Sequence, residues 1–335
     1  MQNSYATGTV ADLVQQNRFL RGQEPSVCRS IFEKAIVVSE ALRAWAAPYA
    51  QIRTVRTYPL ALSVSAAAPF ENSQALLDTA RVSLWVFTLD DLFDEEGLPA
   101  EVLLGRAASY RAIAQGDLVV DESDRLAVAL IDVISGLATY PLFQALRQEW
   151  ANAMCRTING MVQEHEWRAA YRRHGIAVLP SYEEYVENGL NSIGGPPHVW
   201  SAIITTGDSS VPWHLRHLRE MERVSSTCVR LANDLQSHSK EIAEEKLNSL
   251  LVVSHALIRR GLTPVDALRE ARVYVQGAIA RELADLDGLE AQARTKTGRP
   301  EAVTANIARF VCDFYAHYDY HTFTKETEPG ERSDN

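Results

Sequence analysis

The sequence predicts an all-α protein, a single-domain bundle of antiparallel helices. Apolar residues recur at helical spacing almost throughout, no useful length of chain alternates with the period of a strand, and no repeat at solenoid periods is present. The 335 residues, 46% hydrophobic and 23% charged, have the composition of a globular protein with an ample core. That length fits one large domain, taken here as 1–323, followed by a polar tail over 324–335 that is expected to be disordered.

In chain order, Ile31, Ile36, Val37, Ala41, Leu42 and Trp45 predict a helix over 26–49, with Pro48 at its end. Leu76, Leu77, Ala80, Leu84 and Phe87 line one side of a second over 72–93, stopped by Gly97 and Pro99. Further helices are expected over 101–115, from a Ser123 cap to about Leu137, and over 141–171, ending at Gly175. Ser181 reads as the next N-cap, with Glu184 three residues on to reach back. That helix runs into Gly194-Gly195-Pro196-Pro197, where it must break: proline lacks an N–H and glycine weakens the turn. Helix resumes to about Thr205 and again over 211–240, 247–260, 264–293 and 301–323. Residues 60–65 are the one brief strand candidate, weakened by alanine-rich neighbours.

Net charge is −10, so no basic excess suggests a nucleic-acid partner. Cys28, Cys155, Cys228 and Cys312 form no CxxC pair and read as free thiols in a reducing compartment. Residues 1–16 lack the basic and apolar regions of a signal peptide, and no run of 18 apolar residues spans a membrane. A cytoplasmic location is the expectation.

Two segments carry chemistry. Asn233, Ser237 and Glu241 are spaced i, i+4, i+8, so on a helix they stack on one face. Three oxygen donors in a row suit Mg²⁺, which takes oxygen ligands and keeps waters or phosphates in its shell. Upstream, Asp90 and Asp94 share a face with Asp91 beside them, at the end of the apolar turns Leu84, Trp85, Val86, Phe87 and Leu89. An apolar helix ending in carboxylates reads as a pocket wall with a metal site at its mouth. Two such stripes facing each other would hold several Mg²⁺ ions and a polyanion between them.

Asp90-Asp91-Leu92-Phe93-Asp94-Glu95 and Asn233 to Glu241 resemble the aspartate-rich motif and the second metal motif, ND(L)xSxxxE, of the class I terpene synthases of bacteria. Met161, Glu164, Trp167, Pro180-Ser181 and Glu184-Tyr185 extend the likeness, which covers roughly 70–250. The resemblance implies packed antiparallel helices around an apolar cavity, and three Mg²⁺ ions held by Asp90, Asp91 and Asp94 with Asn233, Ser237 and Glu241. Arg230 and Lys240 would hydrogen-bond the diphosphate of a prenyl substrate, and Phe87, Ser192 and Ile193 would line the cavity. Phe314, Tyr318 and His321 either line it or pack, with packing favoured for Phe314. A homodimer is compatible with the resemblance.

Two departures stand out. Many members carry an Arg ahead of the helix break, where this chain has Gly189, and an Arg-Tyr pair near the end, where Tyr320-His321-Thr322-Phe323 stands. The stretch Asn188-Gly189-x-x-Ser192-Ile193 is similar to that of the kaurene-synthase-like, labdane-related diterpene synthases. Likeness to these enzymes implies a bicyclic C20 diphosphate made by a separate class II cyclase. The DxDD motif of such a cyclase is absent, Asp285-Leu286-Asp287 being followed by Gly288. A C15 or acyclic C20 cyclase, a trans-prenyltransferase and a non-catalytic helical binding protein remain the alternatives; Asn233 and Ser237 in place of carboxylates argue against the prenyltransferase.

Overall fold

The computed structural model describes residues 7–8, 10–94, 98–117, 121–321 and 323–325. Among them are fourteen α-helices: α1 (Val10–Gln16), α2 (Arg18–Arg21), α3 (Pro25–Ala46), α4 (Thr57–Ala67), α5 (Ser73–Asp94), α6 (Ala100–Gln115), α7 (Arg125–Leu137), α8 (Pro141–His174), α9 (Tyr182–Ser192), α10 (Gly195–Thr205), α11 (Leu215–Ala243), α12 (Ser249–Ile258), α13 (Pro264–Glu290) and α14 (Arg299–Tyr315). A two-residue parallel pair, β1 (Thr7–Gly8) with β2 (Thr324–Lys325), joins the two ends of the described chain. Glu95, Gly97 and 326–335 of the expected tail lie outside the described residues.

The strand candidate at 60–65 lies inside α4. Every residue of α4 except Tyr58 is buried, because α3, α5 and α14 pack around it. A helix enclosed on all sides is apolar on all sides, so it shows no period to read. α10 is nearly as enclosed, and it begins where the glycine-proline run required a break. There Gly194 takes a left-handed φ of 79°, and a Cβ on it would lie 2.4 Å from Val86 Cγ1 of α5. Both conditions favour glycine.

Two helix ends differ from expectation. The cap of α7 is Asp124, not Ser123: its carboxylate accepts from the N–H groups of Leu126 and Ala127 at 3.1 and 3.2 Å. The last helix stops at Tyr315, and the apolar spacing continues to 323 because the following rings fold back as a cluster. Phe314 and Tyr320 lie 4.7 Å apart between centroids, and Tyr318 and Phe323 lie 4.9 Å apart. Phe314 is core as expected, and so is Trp85, whose indole N–H donates to the Leu126 carbonyl at 2.9 Å. The Ser181–Glu184 capping box is formed at the start of α9.

α5 packs against α3, α4, α7, α8 and α10, while α11 packs against α9, α10, α12, α13 and α14. The C-terminal halves of α5 and α11 face one another across a cavity. Carbonyl dipoles converge at both helix ends, a field that favours cations between them.

Candidate active site

Asp90 and Asp94 line that cavity, one turn apart on α5. Asp91, expected beside them as a third metal ligand, does not line it. A helix turns about 100° per residue, so Asp91 faces the segment ahead of α4. There Arg56, 1% exposed, donates two hydrogen bonds to it, Nη1 to Oδ2 at 2.6 Å and Nη2 to Oδ1 at 2.8 Å. Both carboxylate oxygens are thereby used in a forked, buried pair.

On α11, Asn233, Ser237 and Glu241 face the same cavity from the opposite side. Asn233 and the Tyr315 phenol line it together. The Ser237 hydroxyl donates to the Asn233 carbonyl at 2.8 Å, which leaves its oxygen lone pairs for a cation. Glu241 accepts from Asn248 Nδ2 at 2.6 Å, and the Asn248 Oδ1 in turn caps α12 at Leu250 N–H. The neighbouring Asp234 is fully buried and structural: it accepts from the Tyr185 hydroxyl at 3.0 Å and the Ser249 N–H at 3.1 Å, tying α11 to α9 and α12.

Arg230 lines the cavity, held by Glu164 at 3.0 Å, by Asp234 at 3.1 Å and by the Tyr185 hydroxyl. Its position accounts for Gly189. A Cβ at 189 would lie 3.0–3.2 Å from Arg230 Cγ, Nε and Cδ, so the arginine of α11 fills the space over α9 that a side chain at 189 would take. Replacing Gly189 by alanine is expected to push Arg230 aside and, with Arg230 in the diphosphate-binding role the resemblance implies, to raise the KM of the substrate about tenfold with a smaller change in kcat. Steady-state kinetics with the folded variant would check this.

Ser192 and Ile193 line the cavity at the helix break, and the Ser192 hydroxyl donates to Glu164 at 2.7 Å. Phe87 lines it too, with the Arg56 guanidinium 5.2 Å over its ring. Lys240 is exposed at the rim. Among the cavity residues that carried no role from the sequence are three charged ones: Arg168 of α8, Lys246 of the α11–α12 connection, and Asp319. Lys246 reaches Asp94 at 2.5 Å and Glu244 at 2.9 Å, and Arg168 lies 3.7 Å from Asp94. His321 belongs to the cavity as well, which decides between the two roles open to it.

The apolar side is formed by Val86, Phe87, Met161, Ile193 and Leu247. The space amounts to about 120 Å³. A void on the order of 150 Å³ holds a benzene, so a prenyl chain enters only as side chains such as Phe87 and Met161 move aside.

The cavity is short of positive charge. Burial, and then the Asp94 carboxylate, push Asp90 up to about 8, and burial with Asp234 pushes Glu241 up to about 7. A divalent ion would relieve both. Among the described residues no three His, Cys, Asp or Glu side chains converge to hold an ion by themselves. That suits Mg²⁺ taken by one or two carboxylates, an amide and a hydroxyl, with phosphate and water completing the shell. The sign of the pH effect follows. Both acids hold protons to higher pH than in the unfolded chain, so their charging opposes folding as pH rises from about 4 to 8, and metal binding at pH 7 must expel protons. Proton release on Mg²⁺ or Mn²⁺ binding, and weaker binding at pH 6 than at pH 8, are expected from calorimetry in buffers of different ionisation enthalpy.

Comparison with known proteins gives the family and the fold of the chain. The chain is 25% identical over 244 residues to the bifunctional cis-abienol synthase of Abies balsamea, covering 70% of this chain and 26% of that protein. It is 26% identical over 198 residues to the ent-cassa-12,15-diene synthase of Oryza sativa subsp. indica, covering 56% and 23%. The chain thus spans about a quarter of the length of these relatives. The fold is that of the 2-methylisoborneol synthase of Streptomyces coelicolor A3(2), solved with Mg²⁺ and geranyl-S-thiolodiphosphate, at a TM-score of 0.68 and 14% identity over 88% of this chain and 93% of that one. The family described as terpene synthase family 2, C-terminal metal binding, matches residues 81–281, a span that takes in both α5 and α11 motifs and more than half of the chain, and the chain belongs to that family.

Proposed function

We propose that this chain is a Mg²⁺-dependent class I terpene synthase that ionises an allylic prenyl diphosphate. The observation that carries the reading is the placement of Asp90 and Asp94 opposite Asn233, Ser237 and Glu241 across one cavity. These five residues would hold the metal, three ions in our reading. Bound there, Mg²⁺ would supply the positive charge that a departing diphosphate needs.

The chain's own residues do the rest. Arg230, fixed by two carboxylates and a phenol, presents a preorganised guanidinium to the diphosphate, and Lys240 adds a charge at the rim. Ile193, Met161 and Val86 exclude water from the side where the hydrocarbon lies, which keeps a carbocation from early capture. No helix among the described residues is long and apolar enough to cross a membrane.

For the substrate we favour a bicyclic C20 diphosphate, delivered by a separate class II cyclase. The likeness around Asn188 to Ile193, and relatives whose names specify cis-abienol and a cassadiene, support that choice. The purified protein should be incubated with farnesyl, geranylgeranyl and copalyl-type diphosphates plus Mg²⁺, with hydrocarbons read by gas chromatography. A hydrocarbon or alcohol that disappears with EDTA and returns with excess Mg²⁺ is the expected result; no product from any of them would sink the reading, and a longer prenyl diphosphate would indicate a prenyltransferase. Bicyclic substrates should show the higher kcat/KM, because each unmatched methylene costs about 1–3 kcal/mol. A C15 product from farnesyl diphosphate as best substrate would refute the C20 choice alone.

A further inference from the structure

At the rim of the cavity a second, shallower basin of about 520 Å³ opens between α8, the end of α11 and the segment ahead of α4. Arg53, Arg168, Arg172, Lys240 and Lys246 line it. Four carboxylates lie among them, each already paired: Asp91 with Arg56 at 2.6 Å and Arg53 at 3.4 Å, Asp94 with Lys246 at 2.5 Å and Arg168 at 3.7 Å, Glu244 with Lys246 at 2.9 Å, and Glu245 with Arg172 at 3.2 Å. With Arg56 behind the wall, the cations outnumber the carboxylates. This happens on a chain whose net charge is −10.

His321 forms part of the wall between basin and cavity. Arg56 Nη2 lies 2.6 Å from its Nδ1. A guanidinium has no acceptor, so Nδ1 must accept and the proton of the neutral ring is on Nε2. The ring is thereby fixed as a donor. Burial, and then the charges of Arg56, Lys240, Lys246 and Arg53, push His321 down to about 3.

We infer that the basin is a second anion seat, which takes a diphosphate group outside the metal-bearing cavity. The ligand's identity rests on the function proposed above; the seat itself rests on the cationic rim and the fixed imidazole donor. Arginine and lysine donors suit phosphate oxygens. Because Arg168, Lys240, Lys246 and His321 belong to both spaces, a diphosphate can pass from one to the other without losing all its contacts.

The test is titration of the metal-stripped protein with inorganic diphosphate in EDTA, by calorimetry at low and high salt. Saturable binding that weakens with salt is expected. Arg53→Gln with Arg172→Gln, at positions that line the basin and not the cavity, should weaken it about tenfold. Arg172→Gln alone, on the outer part of α8, is the variant least able to disturb folding and should weaken it severalfold. No metal-free binding by the wild type, or equal affinity in the double variant, would overturn the seat. A prenyl thiolodiphosphate in the same titration separates the sources: equal affinity assigns the seat to the leaving diphosphate, and tighter binding extends it to the incoming substrate. Turnover with Mg²⁺ is read separately, so the proposed function and the seat can each fail alone.

Discussion

Replacing Asp90, Asn233 or Glu241 by alanine is expected to lower prenyl diphosphate turnover by about two orders of magnitude or more, with the fold retained. All three face the cavity from helices whose packing faces lie elsewhere. Asp90 and Glu241 are carboxylates that the fold holds at raised pKa, so removing either relieves repulsion in the protein while stripping a donor from the metal site. The loss should therefore fall on kcat and on metal affinity, not on the unfolding transition. A wild-type rate in any of the three would remove the metal-site assignment.

Asp91→Ala should behave in the opposite way. It strands the Arg56 guanidinium, 1% exposed, with one carboxylate gone from its side. Breaking a buried pair by removing one partner costs about 3–5 kcal/mol, measurable as a lower midpoint in urea at unchanged slope. Removing both charges with Arg56→Met and Asp91→Leu should recover most of that loss, since no buried charge is left alone. If Asp91→Ala instead unfolds like the wild type and loses activity as Asp90→Ala does, Asp91 is a ligand and its pairing with Arg56 is incidental.

The contrast between these neighbouring aspartates shows what the sequence can and cannot say. Spacing along α11 made Asn233, Ser237 and Glu241 legible, because i, i+4, i+8 is a local property of a helix and all three do line one cavity. In α5 the same logic paired Asp90 with Asp94, while Asp91 was counted with them on the resemblance alone. Its direction is set by Arg56, 35 residues earlier in the chain. One signal was available: an arginine immediately ahead of the uncharged, alanine- and leucine-rich stretch of α4 is drawn inside with it and needs a buried carboxylate. Gly189 was visible as a departure, but its cause lies across two helices, in the Arg230 side chain lying over it. Lys246, Arg168 and His321 come to the cavity from three separate segments, and no short-range pattern links them. For the same reason the end of α14 was misread, since rings that pack as a cluster keep an apolar spacing without being a helix.

A crystal structure of the protein with Mn²⁺ and a non-reacting prenyl thiolodiphosphate tests the central claim most directly. Anomalous density beside Asp90 and Asp94 and beside Asn233, Ser237 and Glu241, bridged by the diphosphate, with Asp91 still on Arg56, is the expected result. A diphosphate held in the cavity without metal at these residues, or metal held only elsewhere, would contradict it.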